Sequence, residues 1–139
     1  MDNRKISIID FAATLSLILV VAGCITGSGG GLVEIDNAAN GSIVQMQAGE
    51  ELVISLDSNP TTGYSWQLTE PLSGIMAQQG EVAFTQQGEE GLVGAGGVEV
   101  FRFTAEQAGT AIIQLGYLRV WEEGVAPIDT FSVTVEVSQ

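Results

Sequence analysis

The sequence predicts an all-β domain, an immunoglobulin-like β-sandwich of about seven short strands. Two observations carry this expectation. From Ser42 onward, apolar residues recur at every second position in short runs, the period that places side chains on one face of a pleated strand. Residues that favour turns, chiefly Gly, Pro and Asn, separate the runs, and no stretch keeps the 3.6-residue period of an amphipathic helix. The Cys-Trp-Cys signature of immunoglobulin domains is absent, so the expectation concerns the architecture only.

The strands, A to G, are expected near 42–47, 51–57, 64–69, 80–86, 97–104, 110–118 and 129–137. In B, Leu52, Ile54 and Leu56 alternate with Val53, Ser55 and Asp57; in C, Tyr64, Trp66 and Leu68 alternate with Ser65, Gln67 and Thr69. The pattern of D, around Glu81 to Gln87, is the least regular. In F the buried row is Ala111, Ile113, Leu115 and Tyr117. Strand G is the clearest, with Phe131, Val133, Val135 and Val137 on one face and Thr130, Ser132, Thr134 and Glu136 on the other.

Composition narrows the function. The chain has 139 residues and is 45% hydrophobic, enough for one domain with its own core. Seventeen acidic residues against four basic ones give a net charge of -13, which repels nucleic-acid phosphates and anionic lipid head groups alike. There is no histidine, so the usual general base of Ser and Cys hydrolases is missing, as is the commonest zinc ligand. A single cysteine, Cys24, rules out an internal disulfide or a cysteine-rich metal site. The adjacent carboxylates Glu50-Glu51, Glu89-Glu90 and Glu122-Glu123 fall in predicted turns, where solvated charge is the ordinary explanation. The expectation is a non-enzyme without cofactor or metal.

The first 23 residues read as an address. Arg4 and Lys5 precede an apolar run from Phe11 to Ala22, shorter than the ~20 residues that span a bilayer as a helix. Val21-Ala22-Gly23-Cys24 follows, and resembles the lipobox of prokaryotic lipoproteins. That resemblance implies a signal peptide over 1–23, lipidation of Cys24 as the sole link to a membrane, and export to the cell envelope or extracellular surface. The alternatives are an ordinary cleavage site beside an incidental cysteine, or an uncleaved short anchor. Residues 24–40, rich in Gly and polar side chains around Leu32-Val33, are expected to form a flexible tether, with the folded domain over 41–139. Asp2 and Asp10 balance Arg4 and Lys5, so Arg102 and Arg119 would be the only cations of the mature chain.

Strands of such a sandwich run alternately up and down, so alternate connections emerge at the same end. B–C, D–E and F–G should therefore share one pole, and the tight turns at Ala48-Gly49 and Ala108-Gly109 the other. The B–C loop is Asn59-Pro60-Thr61-Thr62-Gly63-Tyr64: Pro60 fixes its own φ and biases Asn59 toward extended backbone, while Gly63 permits a positive φ. The D–E loop contains Gly94-Ala95-Gly96-Gly97, which has little side-chain bulk and lets its backbone approach a partner. The F–G loop opens with Arg119-Val120-Trp121, and Arg and Trp are enriched at interface hot spots. The bland readings are a structural turn, a flexible loop, a lid on the core for Trp121, and a surface ion pair between Arg119 and Glu122 or Glu123.

Taken together, in this order and over nearly the whole domain, the three loops resemble the chagasin-type inhibitors of papain-like cysteine peptidases. Members carry an Asn-Pro-Thr-Thr-Gly-aromatic loop, a Gly-x-Gly loop and an Arg-Pro-Trp loop on an immunoglobulin-like sandwich. The resemblance implies a monomeric inhibitor whose partner is a papain-like peptidase and whose contacts are Asn59 to Tyr64, Gly94 to Gly97, and Arg119 to Trp121. It implies occlusion of the cleft without chemistry, with Thr61 near the catalytic cysteine, the glycine loop along the substrate cleft, and Arg119 with Trp121 at the far rim. Val120 departs from the family proline and leaves φ unlocked at that position. The other class in play is a surface binding or adhesion module that uses the same pole.

Overall fold

The computed structural model describes residues 30–88 and 93–139; the expected signal segment and Cys24 lie outside the described residues. Among the described residues nine strands form: β1 (Leu32–Asp36), β2 (Ile43–Gln47), β3 (Glu51–Ser58), β4 (Ser65–Leu68), β5 (Met76–Gln78), β6 (Ala83–Gln86), β7 (Gly97–Ala105), β8 (Gly109–Leu118) and β9 (Asp129–Ser138). One sheet has the order β1-β3-β7, with β5 and β6 both paired to the remaining edge of β7; the other has the order β2-β9-β8-β4. Pairing is antiparallel except for β1 with β3 and β2 with β9.

The alternating rows meet between the sheets. Leu52, Ile54 and Leu56 of β3 and Phe101 and Phe103 of β7 face Ile113 and Leu115 of β8 and Phe131, Val133 and Val135 of β9, all of them buried. This is the face assignment the two-residue period dictates. One acidic side chain shares the inward row: Glu99 of β7 is 7% exposed, and its carboxylate accepts the Trp66 amide N–H at 2.9 Å. It ties the first sheet to β4, the edge strand of the second, where an amide facing away from the ladder would otherwise be buried without a partner.

Two expectations need correction. Part of the expected tether belongs to the domain: Leu32–Asp36 pairs in parallel with Glu51–Ser55, and Val33 and Ile35 pack against the core. Five residues with Glu34 and Asp36 turned outward give a short pattern that reads as linker until the β3 edge is there to receive it. Expected strand D, near 80–86, narrows to β6 (Ala83–Gln86) beside the Gly97 end of the β7 edge, and a further strand outside the expected seven, β5 (Met76–Gln78), takes the Ala105 end of the same edge. Gly80, at φ +67°, breaks the path between them. The other six strands lie within a residue or so of expectation.

Strand directions obey the alternation. The Ala48-Gly49 turn meets the ends of β7 and β9 through N–H donation to Ala105 O (2.7 Å) and Ser138 O (2.8 Å). The connections after β3, β6 and β8 leave from the opposite pole.

Candidate functional site

At that pole the B–C loop is a single turn of 3₁₀ helix, Pro60–Thr62, capped at both ends by its own sequence. Asn59 is the N-cap: its Oδ1 accepts from Thr61 N–H at 3.3 Å and from the Thr61 hydroxyl at 2.6 Å, while its carbonyl accepts from the Thr62 hydroxyl at 2.6 Å. Pro60 sits at the first helical position, where its missing N–H costs nothing. Gly63 ends the turn at φ +80° and donates to Pro60 O at 2.9 Å. Pro60, Thr61 and Thr62 are exposed. The short polar groups that make the turn are satisfied by one another, so its shape is set before any partner arrives.

Aromatic rings carry the turn upward from the core. Trp66 is buried, with its indole N–H donating to Asp57 O at 2.9 Å. Tyr117, its cross-strand partner on β8, packs on it at 5.1 Å between centroids, and Tyr64 packs on Tyr117 at 5.5 Å. The Tyr117 hydroxyl accepts the Asn59 N–H at 2.9 Å. Arg119 ends the series, its guanidinium carbon 4.4 Å from the Tyr64 ring centroid.

The three predicted loops do come together. Asn59 Nδ2 donates to Gly94 O at 3.3 Å, joining the B–C loop to the glycine loop. Arg119 donates to Thr62 O from Nε (3.3 Å) and Nη2 (3.2 Å), joining it to the F–G loop. Trp121 closes the same junction, since a Cβ on Gly63 would stand 2.5 Å from its Cη2. Trp121 itself remains 64% exposed, as is Val120 at 61%. Gly97 is needed for a different reason from Gly63: β6 lies so close that a Cβ there would collide with Thr85 O and the Phe84 ring. Gly94, with φ +82°, has open space around it, while Ala95 and Gly96 are half-buried, and a Cβ on Gly96 would lie 3.5 Å from Ser58 O.

Sequence reasoning missed three supports of this site: the Tyr117 hydroxyl under Asn59, the Glu99 tie beneath Trp66, and the use Arg119 makes of Thr62 O. All are contacts between residues 33 to 58 positions apart, and no local pattern signals them. The ordinary role of Arg119 was legible, and the structure selects Glu122, at 3.2 Å, over Glu123. Among the described residues, no three His, Cys, Asp or Glu side chains converge on a metal-sized position.

The sandwich thus braces three loops against one another at one pole. Residues 45–135 match the model of the Chagasin family peptidase inhibitor I42, and the chain belongs to that family. It is 32% identical over 110 residues to chagasin of Trypanosoma cruzi, spanning 76% of this chain and 97% of that protein. Amoebiasin-1 of Entamoeba histolytica is 35% identical over 98 residues, 70% of this chain and 92% of that one. The solution structure of amebosin superposes with a TM-score of 0.62 at 30% identity over 79% of this chain and 100% of that one. A crystal structure of a cysteine protease inhibitor from Entamoeba histolytica shares the fold, with a TM-score of 0.69 at 21% identity over 81% and 100%. Of the two classes left open by the sequence, the family decides for a peptidase inhibitor over an adhesion module, and against an enzyme.

Proposed function

We propose that this chain inhibits papain-family cysteine peptidases reversibly, by lodging the three loops as a wedge in the active-site cleft. The observation that carries the reading is the loop junction: Asn59 is bonded to Gly94, and Arg119 to Thr62, so the three segments approach a cleft as one body. The exposed turn Pro60–Thr62 is the central finger, Gly94 to Gly97 lies along the substrate groove, and Trp121 meets the rim. A tight 3₁₀ turn, with its amides bonded internally, is not the extended strand that a cleft binds by main-chain pairing, which supports occlusion without cleavage. Three loops at one pole suit an interface of roughly 800 Å² per partner. The wedge is complete within one chain, so a monomer suffices.

Titration of papain with the domain tests this. Saturable inhibition with the inhibitor recovered intact is expected, and its absence from folded protein at micromolar concentration would sink the reading.

Display on a lipid anchor is the second part of the proposal. Leu32 pairs with Glu51 at the start of β3, the pole opposite the loops, so a tether from Cys24 would enter the domain at the end away from the wedge. An anchored domain would thus aim its loops outward. Cys24→Ser should move the protein from the membrane to the soluble fraction; unchanged fractionation would remove the anchor from the reading.

A further inference from the structure

The F–G loop departs from the family at the position that should stiffen it, yet it is closed. Arg119-Val120-Trp121-Glu122 is a four-residue turn in which Glu122 N–H donates to Arg119 O at 3.1 Å. Val120 occupies the second position of that turn, where a proline would preset φ and lower the entropy lost on closure. The turn carries a second link between the same two residues: the Glu122 carboxylate accepts from Arg119 Nη1 at 3.2 Å. The pair is sheltered, with side chains 35% and 33% exposed, whereas Glu123 beside it is exposed and makes no ion pair among the described residues.

The geometry of the guanidinium gives this link a consequence beyond the turn. Nη1 faces Glu122, while Nε and Nη2 converge on Thr62 O and the cation lies over Tyr64. A guanidinium is a rigid planar fork, so fixing one nitrogen orients the others. The carboxylate also neutralises a cation whose donors are turned toward its own chain, which leaves Arg119 little to offer a peptidase. Trp121, held between the two ends of the turn, is set over Gly63 by the same closure.

We propose that Glu122 is a positioning residue of the wedge. By clamping Arg119 it closes the F–G turn in place of the missing proline ring and aims the guanidinium at the Thr62 carbonyl, so that the F–G and B–C loops enter the cleft already joined. This rests on the inhibitor reading above for its functional outcome, but the clamp is a property of the free protein. Arg119, on this account, acts through the loop junction and Trp121 makes the contact.

The test combines a double-mutant cycle with a rescue. Glu122→Gln should weaken papain inhibition about 3- to 10-fold, chiefly through faster dissociation, while Glu123→Gln leaves it unchanged. In an Arg119→Ala background, Glu122→Gln should add no further loss. Val120→Pro should restore most of the affinity lost in Glu122→Gln, because both act on closure of one turn. In the uncomplexed protein, amide hydrogen exchange at Glu122 and Gly63 should accelerate in Glu122→Gln, with the β8–β9 amides unaffected. Full loss persisting in the Arg119→Ala background, or no rescue by Val120→Pro, would overturn the proposal in favour of a direct contact between Glu122 and the enzyme. Unchanged exchange at Glu122 and Gly63 would overturn it too. Should the wild-type chain fail to inhibit, the inhibitor reading falls, and the exchange measurement still decides whether the clamp exists.

Discussion

The six-membered ring of Trp121 lies over Gly63 so closely that a methyl group on Gly63 would stand 2.5 Å from Cη2 and 2.9 Å from Cζ2. Gly63 is therefore required twice, by its φ of +80° and by the indole that covers it. The covering makes a loop of one segment depend on a side chain of another. It also explains how an indole can be largely exposed and still hold one orientation.

Gly63→Ala should consequently do more than strain a turn. A left-handed alanine costs about 1 to 2 kcal/mol of stability, which this core should tolerate. The displaced indole should add a loss of inhibition larger than the stability change accounts for. Denaturant unfolding and papain titration on the same variant separate the two; a stability loss with full inhibition would detach Trp121 from the site.

Truncating side chains of the F–G loop probes the contact through Trp121 and its bracing through Arg119. Trp121→Ala and Arg119→Ala should each weaken inhibition by ~1 to 4 kcal/mol while the fold is retained. They should differ in the free protein, where only Arg119→Ala removes the hydrogen bonds to the Thr62 carbonyl and Trp121→Ala removes only the cover over Gly63. Wild-type inhibition by both variants, measured as Ki against papain, would remove this loop from the wedge.

Val120→Pro alone should preserve or strengthen inhibition, by up to about 1 kcal/mol, because proline at the second turn position reduces the freedom of the unbound loop. A large loss of affinity would show that the backbone at Val120 departs from the family turn.

Glu99 offers a test remote from the contact surface. Glu99→Ala strands the Trp66 amide and should cost about 1 to 3 kcal/mol, whereas Glu99→Gln retains an acceptor oxygen and should cost less. Thermal melts of the two variants check the order, and equal losses would mean that the hydrogen bond to Trp66 is not what Glu99 contributes.

The early strand can be tested by packing. Ile35→Asp places a charge where β1 meets the core and should destabilise the domain by about 2 to 4 kcal/mol in urea unfolding. A change below 0.5 kcal/mol would return residues 31–40 to the status of a tether.

What the sequence determined by itself was whatever rests on neighbours along the chain. The alternation of Phe131, Val133, Val135 and Val137 dictates a strand with one buried face, and Asn59, Pro60 and Gly63 dictate a capped turn through bonds to residues two or three positions away. The order of the three loops and the up-down alternation were enough to put them at one pole. Tertiary structure decided the rest, through contacts between residues distant in sequence. Val33 and Ile35 become a strand only against β3, Glu99 enters the core only because Trp66 presents a free amide there, and Arg119 turns toward Thr62 only because β4 and β8 bring Tyr64 and Tyr117 beneath it. Local propensity selects a backbone conformation for a few residues, but a donor or apolar face is satisfied by whatever the completed fold sets beside it. That is why the loop was legible as a turn, and its bracing was not.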